Sequence, residues 1–333
     1  MQKFATVTPS QKMMGISILR IIATLGVFAV HFGQRMRLPS PWSSVTDFGK
    51  YGVQLFFVIS GFLMVQSLDK CDSVRDVFQF YVKKAIRLLP LYYLVILWFF
   101  VSETFIYRSI VPDSYRLGWL RYVFLLNGIV PADCYLWQNV GITWTIPIFI
   151  MAYIITPLWY KCLKKHTTET LGIMFVALVV LSVISANCFE GWVPFLNHYY
   201  TFVGGMLVYK ALQEGKSKSV QIGLMVLILM LAAADRLFVV FLTLIFMLLV
   251  SIMYDVQIKS AKFVKLLNTV DAYSYTVYLG HGVIFCSVLD KFALPMPVRF
   301  CVAVFGSALL VIALYHLYER PITKILQTKL LKK

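Results

Sequence analysis

The sequence predicts an all-α integral membrane protein, a bundle of about ten transmembrane helices with both termini in the cytoplasm. Of its 333 residues, 60% are hydrophobic and 14% are charged, and the mean hydropathy is +0.78. A soluble domain of this length carries many more charged residues. Because each span needs about 20 mostly apolar residues, a chain of this length and composition accommodates many spans.

Long apolar segments recur along the whole chain and define its organisation. The predicted spans cover 15–34, 51–67, 88–107, 138–158, 170–188, 196–212, 219–234, 236–254, 271–289 and 297–318. Residues 72–86 are amphipathic and basic, so we expect a helix along the membrane surface there. The chain therefore divides into a cytoplasmic lead at 1–14, a transmembrane domain at 15–321 and a basic cytoplasmic tail at 322–333.

The basic residues indicate the orientation. If both termini are cytoplasmic, most of the 31 Lys and Arg residues fall in the tails and in the loops on the cytoplasmic side, as the positive-inside rule requires. The net charge of +16 is then a topological signal and a source of attraction to anionic membrane lipids. We expect no nucleic-acid partner, because the sequence offers no soluble basic surface.

Metal binding is not expected. The six cysteines include no CxxC pair, and no histidine lies at ligand spacing from them.

Two ionisable residues stand out in the first apolar segment, Arg20 and His31. Eleven helical steps of about 100° come to about 20° beyond three turns, so both side chains lie on one helix face, about 16 Å apart along the axis. Arg20 reaching a lipid phosphate and His31 in an interhelical hydrogen bond would explain each residue separately. Together they favour a polar passage, with phosphates at Arg20 and a reactive group at His31. An acyl-coenzyme A fits this passage, and so do other phosphorylated lipids.

Five motifs occur in order along the chain. They are "LRIIATLGVFAVHF" with Arg20 and His31, "YGVQLFFVISGFLM" with Gly52, Phe56, Phe57, Ser60 and Gly61, "KKAIRLLPLYY" with Lys84, Arg87 and Pro90, "YSYTVYLGH" with Ser274, Tyr275, Tyr278 and His281, and "YERP" with Glu319. In this order the chain resembles the acyltransferase family 3 of membrane-bound O-acyltransferases. The resemblance covers the chain from end to end.

One motif departs from the family pattern. Many members carry W-x-L-x-x-E-x-x-F-Y in mid-chain, whereas "WTIPIFIMAY" retains Trp144 and has Phe149 in the place of the glutamate. The role of that carboxylate is therefore open here. Glu103 is the one acid placed well inside an apolar segment. We expect it at a solvated helix end, although it would be a possible substitute.

The resemblance and the residue chemistry together assign the site. His31 is the predicted general base, and Arg20, Lys84 and Arg87 are predicted to hold the phosphates of acyl-CoA. Contacts to the oxyanion or to the acceptor are assigned to His281, Tyr278 and Ser60, and structural roles to Gly61, Trp144 and Glu319. Simpler roles stay open: close packing for Ser60 and Gly61, lipid contact for Lys84 and Arg87, and a structural hydrogen bond for His281.

The resemblance implies an enzyme of the bacterial inner membrane, crossing it many times. Acyl-CoA, and acetyl-CoA above all, is the expected co-substrate, and the acceptor is a hydroxyl of an extracytoplasmic glycan or lipid-linked saccharide. Direct transfer is preferred over an acyl intermediate on Ser60. The alternative function is transport of a sugar or an anionic small molecule. It is disfavoured because the acids lie in loops or near segment ends, whereas ion-coupled carriers need carboxylates near the midplane.

Overall fold

The protein is helical throughout the regions that the structure describes. The computed structural model describes residues 13–108, 118–126, 142–163, 167–188, 194–231 and 237–331. Every regular element in these ranges is a helix, and no strand occurs among them. The predicted all-α class is therefore confirmed.

Fifteen α-helices follow one another in these ranges. Their bounds are α1 Met14–Met36, α2 Trp42–Asp47, α3 Gly52–Leu68, α4 Val74–Val101, α5 Trp119–Val123, α6 Thr145–Leu163, α7 Thr168–Cys188, α8 Pro194–Gln213, α9 Ser217–Leu231, α10 Phe238–Met253, α11 Ala261–Ala272, α12 Ser274–Ile284, α13 Met296–Cys301, α14 Ser307–Leu314 and α15 Arg320–Leu330. A 3₁₀ turn, Phe48–Tyr51, joins α2 to α3. Four π-helical turns follow α4, α12, α13 and α14, at Ser102–Ile106, Phe285–Leu289, Val302–Gly306 and Tyr315–Glu319.

Several of these helices are long and apolar enough to cross a bilayer. Five stretches meet this condition within the described residues: Met14–Met36, Trp42–Leu68, Val74–Ile106, Thr168–Asn187 and Met296–Leu330. The pair α11 and α12 forms a sixth, bent by 45° at its break. The chain is thus a multi-pass membrane protein with five or six candidate spans, while the count of ten and the cytoplasmic termini stay predictions.

Helix α4 joins two segments that the sequence separates. Its N-terminus is a capping box, in which Ser73 Oγ accepts from the backbone N–H of Asp76 at 3.2 Å and the Asp76 carboxylate accepts from the backbone N–H of Ser73 at 2.9 Å. From there one helix continues to Val101, with Pro90 inside it. The segment predicted at 72–86 is therefore not a separate helix, since residues 74–86 form the first half of α4. Its place along the membrane surface stays a prediction.

The seam between α3 and α8 is a close helix contact of the core. A Cβ built on Gly61 would lie 1.9 Å from the backbone oxygen of Phe202, and one on Gly205 would lie 1.9 Å from that of Val58. Only glycine permits this backbone approach, which is how membrane helices gain dense packing where the hydrophobic effect between helices is weak. The structural role predicted for Gly61 rests on this contact.

We expect Gly61→Ala to destabilise the protein, because the added methyl group must push α3 away from α8. Overpacking of this kind costs about 1–3 kcal/mol. Thermal unfolding of the purified protein in detergent should therefore occur at a temperature lower by several degrees. Gly223→Ala is the matched control, because no atom lies within 4 Å of a Cβ built there. Equal unfolding temperatures for the two variants would contradict the close-packed seam.

Candidate functional site

Helix α1 lies beside the bent pair of α11 and α12, and this seam carries most of the predicted site. Arg20 pairs with Asp271 at the end of α11, and the ring of His31 stacks on that of His281 in α12. Residue numbers increase in the same direction along both segments at these two contacts. Helix α1 and the pair of α11 and α12 therefore run parallel. Because Arg20 and His31 both face this one neighbour, the prediction that they share a helix face is confirmed.

Arg20 and Asp271 form an ion pair with little solvent contact. Their side chains are 20% and 10% exposed, and a guanidinium N–H of Arg20 donates to Asp271 Oδ2. Arg20 also donates to Ser17 Oγ at 3.4 Å. Arg20 Nε and Asp271 Oδ1 are buried without a hydrogen-bond partner in the described part of the chain. Asp271 thus compensates most of the charge of Arg20, and a donor and an acceptor remain unused beside the pair.

The spacing of Asp271 from His281 is a sequence signal that the motif analysis missed. Asp271 precedes His281 by ten residues, close to the eleven that separate Arg20 from His31. When two parallel segments carry polar residues at nearly the same spacing, one contact between them brings the other pair together as well. Here Arg20 meets Asp271, and His31 meets His281. The 251 positions between Arg20 and Asp271 hide the pairing from any local pattern.

The two imidazoles form the second contact of the seam. Their ring centroids are 5.3 Å apart and their planes differ by 28°. His281 Nδ1 lies 2.7 Å from the carbonyl oxygen of Val277, so in the neutral ring Nδ1 carries the proton and donates it. His281 Nε2 is then an acceptor, and it is buried without a partner among the described residues, as is His31 Nδ1. This tautomer suits His281 for contact with an acceptor hydroxyl and leaves it no N–H for an oxyanion.

A narrow cavity of about 120 Å³ lies within the bundle near Arg20. Five predicted site residues line it, namely Arg20, Ser60, Lys84, Arg87 and Tyr278, and the other lining residues are Val53, Phe56, Ile59, Leu63, Leu88, Thr145, Ile146, Phe149, Tyr153, Ser274 and Tyr275. The structure therefore brings together residues that are up to 258 positions apart. Its cationic groups are drawn from α1 and α4, and apolar and aromatic side chains supply most of the remaining wall.

The cavity stops short of the imidazoles. Its lining includes Tyr278 but neither His31 nor His281. Tyr278 and Thr145 share a hydrogen bond of 2.7 Å, and the Tyr278 ring lies 6.5 Å from that of His281. The continuous polar passage predicted from Arg20 to His31 is therefore interrupted by the hydrogen-bonded Tyr278.

Lys84 and Arg87 lie where this cavity meets a larger cleft of about 750 Å³, because both residues line both spaces. The ammonium group of Lys84 sits 4.7 Å from the centroid of the Tyr153 ring. Neither cation forms an ion pair with any residue that the structure describes. The wider cleft also contains Lys70, Lys83, Arg320 and Lys324, against the acids Asp76 and Glu319. It is a strongly cationic space next to the narrow cavity.

The remaining motif residues take structural positions. Glu319 accepts a hydrogen bond from Thr276 Oγ1, which fixes the last π-helical turn to α12, and it borders the cationic cleft. Trp144 packs its ring 5.3 Å from that of His198 and does not line the narrow cavity. Ser60, by contrast, lines that cavity.

Phe149 occupies the cavity wall at the position where many relatives carry glutamate. Its ring lies 5.0 Å from that of Phe57, and this part of the wall is aromatic. Glu103 does not substitute for the missing acid there. It is 4% exposed and binds Lys291 at 2.9 Å, so the solvated helix-end position expected for it is wrong. The ion pair explains its burial, because an unpaired carboxylate inside a bundle is costly.

No group of three or more His, Cys, Asp or Glu side chains that could hold a metal ion occurs among the residues that the structure describes.

The fold and the site together define a class, a multi-pass helical membrane protein with a cation-lined cavity beside an imidazole pair. A family model described as an acyltransferase domain matches residues 14–316. The chain belongs to this family, acyltransferase family 3, as its five motifs indicate.

Two individual proteins are similar to part of this chain. Acyltransferase MdmB of Streptomyces mycarofaciens is 24% identical over 156 residues, which are 44% of this chain and 39% of that protein. A protein of Acidianus two-tailed virus, named provisionally as acetyltransferase ORF330, is 30% identical over 146 residues, 44% of this chain and 40% of that protein. The chain thus spans about two fifths of the length of the curated relatives it matches. No solved structure matches it.

We expect Arg20→Gln and Asp271→Asn each to lower the free energy of unfolding by about 3 kcal/mol, since each leaves a buried charge uncompensated. The double variant should recover part of this loss, with a coupling energy of about 1–3 kcal/mol in a double-mutant cycle. Denaturant unfolding in mixed micelles measures all four proteins.

The exposed pair Lys50 and Asp47 is the control for this cycle, since its charged atoms are 2.6 Å apart and both side chains are about half exposed. Its coupling should stay below about 1 kcal/mol. If the effects of the Arg20 and Asp271 substitutions simply add, the buried pair does not have the role assigned to it.

Proposed function

We propose that the protein is an integral membrane O-acyltransferase that takes an acyl group, most often acetyl, from acyl-CoA. The acceptor is a hydroxyl of an extracytoplasmic glycan or lipid-linked saccharide, and the enzyme works in the bacterial inner membrane. Membership of acyltransferase family 3 and the names of the two relatives support acyl transfer. The arrangement of cations around the cavity supports the choice of donor.

The junction at Lys84 and Arg87 is the observation that carries the proposal. A donor such as acyl-CoA combines a multiply phosphorylated nucleotide with a thin pantetheine arm that ends in the thioester. The cationic cleft of about 750 Å³ suits the phosphates, and the cavity of about 120 Å³ suits the arm. Lys84 and Arg87 line both spaces, so they would hold the phosphates at the entrance while the thioester extends past Arg20 toward Tyr278.

His31 is the general base of the proposed reaction. Its buried Nδ1 has no hydrogen-bond partner among the described residues and can accept the proton of the acceptor hydroxyl. The acceptor oxygen attacks the thioester carbon, the C–S bond breaks, and the departing thiolate takes the proton to leave as free coenzyme A. Atoms and charges balance without an acyl-enzyme.

The assignment of the oxyanion donor rests on the two hydrogen-bonding patterns at the end of the cavity. His281 offers only an acceptor nitrogen, because its Nδ1–H is used by Val277. The Tyr278 hydroxyl, held by Thr145, can turn its proton toward a carbonyl oxygen in the cavity. We therefore assign Tyr278 to the developing oxyanion and His281 to a neighbouring hydroxyl of the acceptor, because the reacting hydroxyl gives its single proton to His31. The hydrogen bond to Thr145 has to break or shift for the thioester to meet His31.

Ser60 is the site of the rival chemistry, an acyl-enzyme. It lines the cavity, but no hydrogen bond joins it to a histidine in the described structure, so it lacks the activated state of a serine nucleophile. Direct transfer remains our preferred mechanism.

We expect His31→Gln to lower acyl transfer by about 100-fold or more, because the proton of the acceptor hydroxyl loses its base. Mass spectrometry of cell-surface glycans from a deletion strain, complemented with wild type or variant, measures the acyl group transferred. Binding of the donor should persist, so coenzyme A should raise the unfolding temperature of both purified proteins equally. Full acylation by the variant would refute the role of His31, and a lack of any stabilisation of wild type by coenzyme A would refute the donor.

We expect Lys84→Gln combined with Arg87→Gln to raise the KM for acyl-CoA by about tenfold or more, with a smaller change in kcat. Both cations bind a part of the donor that is remote from the reacting bond, so their loss weakens ground-state and transition-state binding alike. The control is Lys218→Gln combined with Lys262→Gln. It removes the same charge, and neither lysine lines the cavity or the cleft. A similar rise in KM in both double variants would contradict a specific role of Lys84 and Arg87, because loss of net positive charge alone would then explain it.

A further inference from the structure

The cationic cleft continues into a second basic space. This space is a groove of about 600 Å³ between α11 and the last π-helical turn. Ala272, Tyr315 and Arg320 line both the groove and the cleft of about 750 Å³, so the two spaces share a wall. The other lining residues of the groove are Ile258, Lys259, Ala261, Val264, Lys265, Asn268, Thr269, Tyr273 and His316. A ligand in the cleft can therefore extend into the groove along the shared wall.

The groove carries cations without acids. Lys259, Lys265 and Arg320 line it, and none of its lining residues in the described structure is a carboxylate. The cleft, by contrast, is also lined by the acids Asp76 and Glu319. None of the three cations of the groove forms an ion pair with a residue in the described ranges. A doubly charged phosphate group would therefore be bound more strongly in the groove than beside the acids of the cleft.

Three rings form part of the groove wall. The ring centroids of Tyr273 and Tyr315 are 4.4 Å apart, and the ring of His316 lies 5.1 Å from that of Tyr315. The Tyr273 hydroxyl and His316 Nε2 share a hydrogen bond of 2.8 Å, which restrains the orientation of the exposed imidazole. Asn268 and Thr269 add an amide and a hydroxyl to the wall. A nucleotide base stacks on rings of this kind, and its polar edge bonds to such groups.

The geometry points to a binding site in this groove for the adenosine 3′-phosphate part of coenzyme A. This inference rests on the proposed function, in which a coenzyme A thioester is the donor. The pyrophosphate of the donor stays at the junction of the cleft and the narrow cavity, and the nucleoside passes along Arg320 into the groove. There Lys259 and Lys265 hold the 3′-phosphate, and the adenine stacks on the ring of His316.

The 3′-phosphate makes the groove selective among adenine nucleotides. ATP has the base and several phosphates, but it lacks the phosphate on the ribose 3′-oxygen and the pantetheine arm. 4′-Phosphopantetheine has the arm and lacks the nucleoside. Coenzyme A alone among the three reaches the narrow cavity, the cleft and the groove together. The groove therefore decides which nucleotide is bound, whereas Lys84 and Arg87 bind the pyrophosphate.

The test compares coenzyme A with 3′-dephospho-coenzyme A, which differ only in that phosphate, by calorimetric titration of the full-length protein in a neutral detergent. Wild type should bind coenzyme A about tenfold or more tightly, because the phosphate contacts charged donors. Lys259→Gln combined with Lys265→Gln should bind both ligands with the affinity that wild type has for the dephospho form.

A second variant tests the base. His316→Ala should weaken the binding of both ligands about fivefold or more, since each loses a stacking surface. 4′-Phosphopantetheine has no adenosine, so it should bind to wild type, to the lysine variant and to His316→Ala with equal affinity. Unchanged binding of coenzyme A to His316→Ala would contradict the placement of the adenine.

Lys262→Gln combined with Lys329→Gln is the matched control for the lysine variant. It removes the same charge, and neither residue lines the groove or the cleft. It should keep the preference for coenzyme A over the dephospho form. An equal loss of that preference in the control would overturn the groove site in favour of general attraction between charges.

The remaining outcomes separate this site from the proposed donor. If wild type binds coenzyme A and its dephospho form equally, or if the lysine variant keeps the preference, the groove site is refuted and the donor stands. If ATP binds as tightly as coenzyme A, the groove belongs to a free nucleotide, and the inference fails. If wild type binds neither coenzyme A nor its dephospho form, the donor itself is refuted.

Discussion

The ion pair between Arg20 and Asp271 is the interaction on which the site depends. A guanidinium in the first span is expensive inside a bilayer, and a carboxylate placed against it lowers that cost. The pairing joins the beginning of the chain to a helix joint 251 positions later. Because α12 starts at that joint, the same contact sets the height of Tyr278 and His281 relative to His31. The relative positions of His31 and His281 thus depend on the ion pair between Arg20 and Asp271, which lies about ten residues earlier along both segments.

Beyond the imidazoles, a second set of ion pairs continues the same seam. Arg35, one turn after His31, binds Asp290 at 2.9 Å. Lys291 binds Glu103 at 2.9 Å, and Trp98 donates to Ser287 Oγ at 2.9 Å. The contacts of Lys291 with Glu103 and of Trp98 with Ser287 connect the end of α4 and the turn Ser102–Ile106 to the turn Phe285–Leu289 and the residues just after it. A π-helical turn inserts a residue and rotates the later part of its helix, and such turns often occur at functional sites. Here Glu103 lies within one of these turns, and Lys291 lies two residues after the other.

The division of the site into two compartments suits a thioester donor. In the proposed reaction, the cationic cleft would recognise phosphate, the largely aromatic cavity would hold the thin pantetheine arm, and the hydrogen-bonded Tyr278 would separate that arm from the base. Because Tyr278 would separate His31 from the cavity, His31 would not activate water or other hydroxyls in the cavity before the acceptor arrives.

The sequence by itself determined the class, the shared face of Arg20 and His31, and the family to which the chain belongs. These depend on local properties: hydropathy sets the environment of a segment, the helical repeat sets which side chains share a face, and motif order is read directly from the residues. The tertiary structure alone decided the partner of Arg20, the tautomer of His281, the closure of the cavity by Tyr278 and Thr145, the burial of Glu103, and the union of residues 74–101 in one helix. Each of these depends on which helix packs against which, and at what height. The apolar pattern of one segment is compatible with many neighbours, so that choice is made only when all the helices pack together.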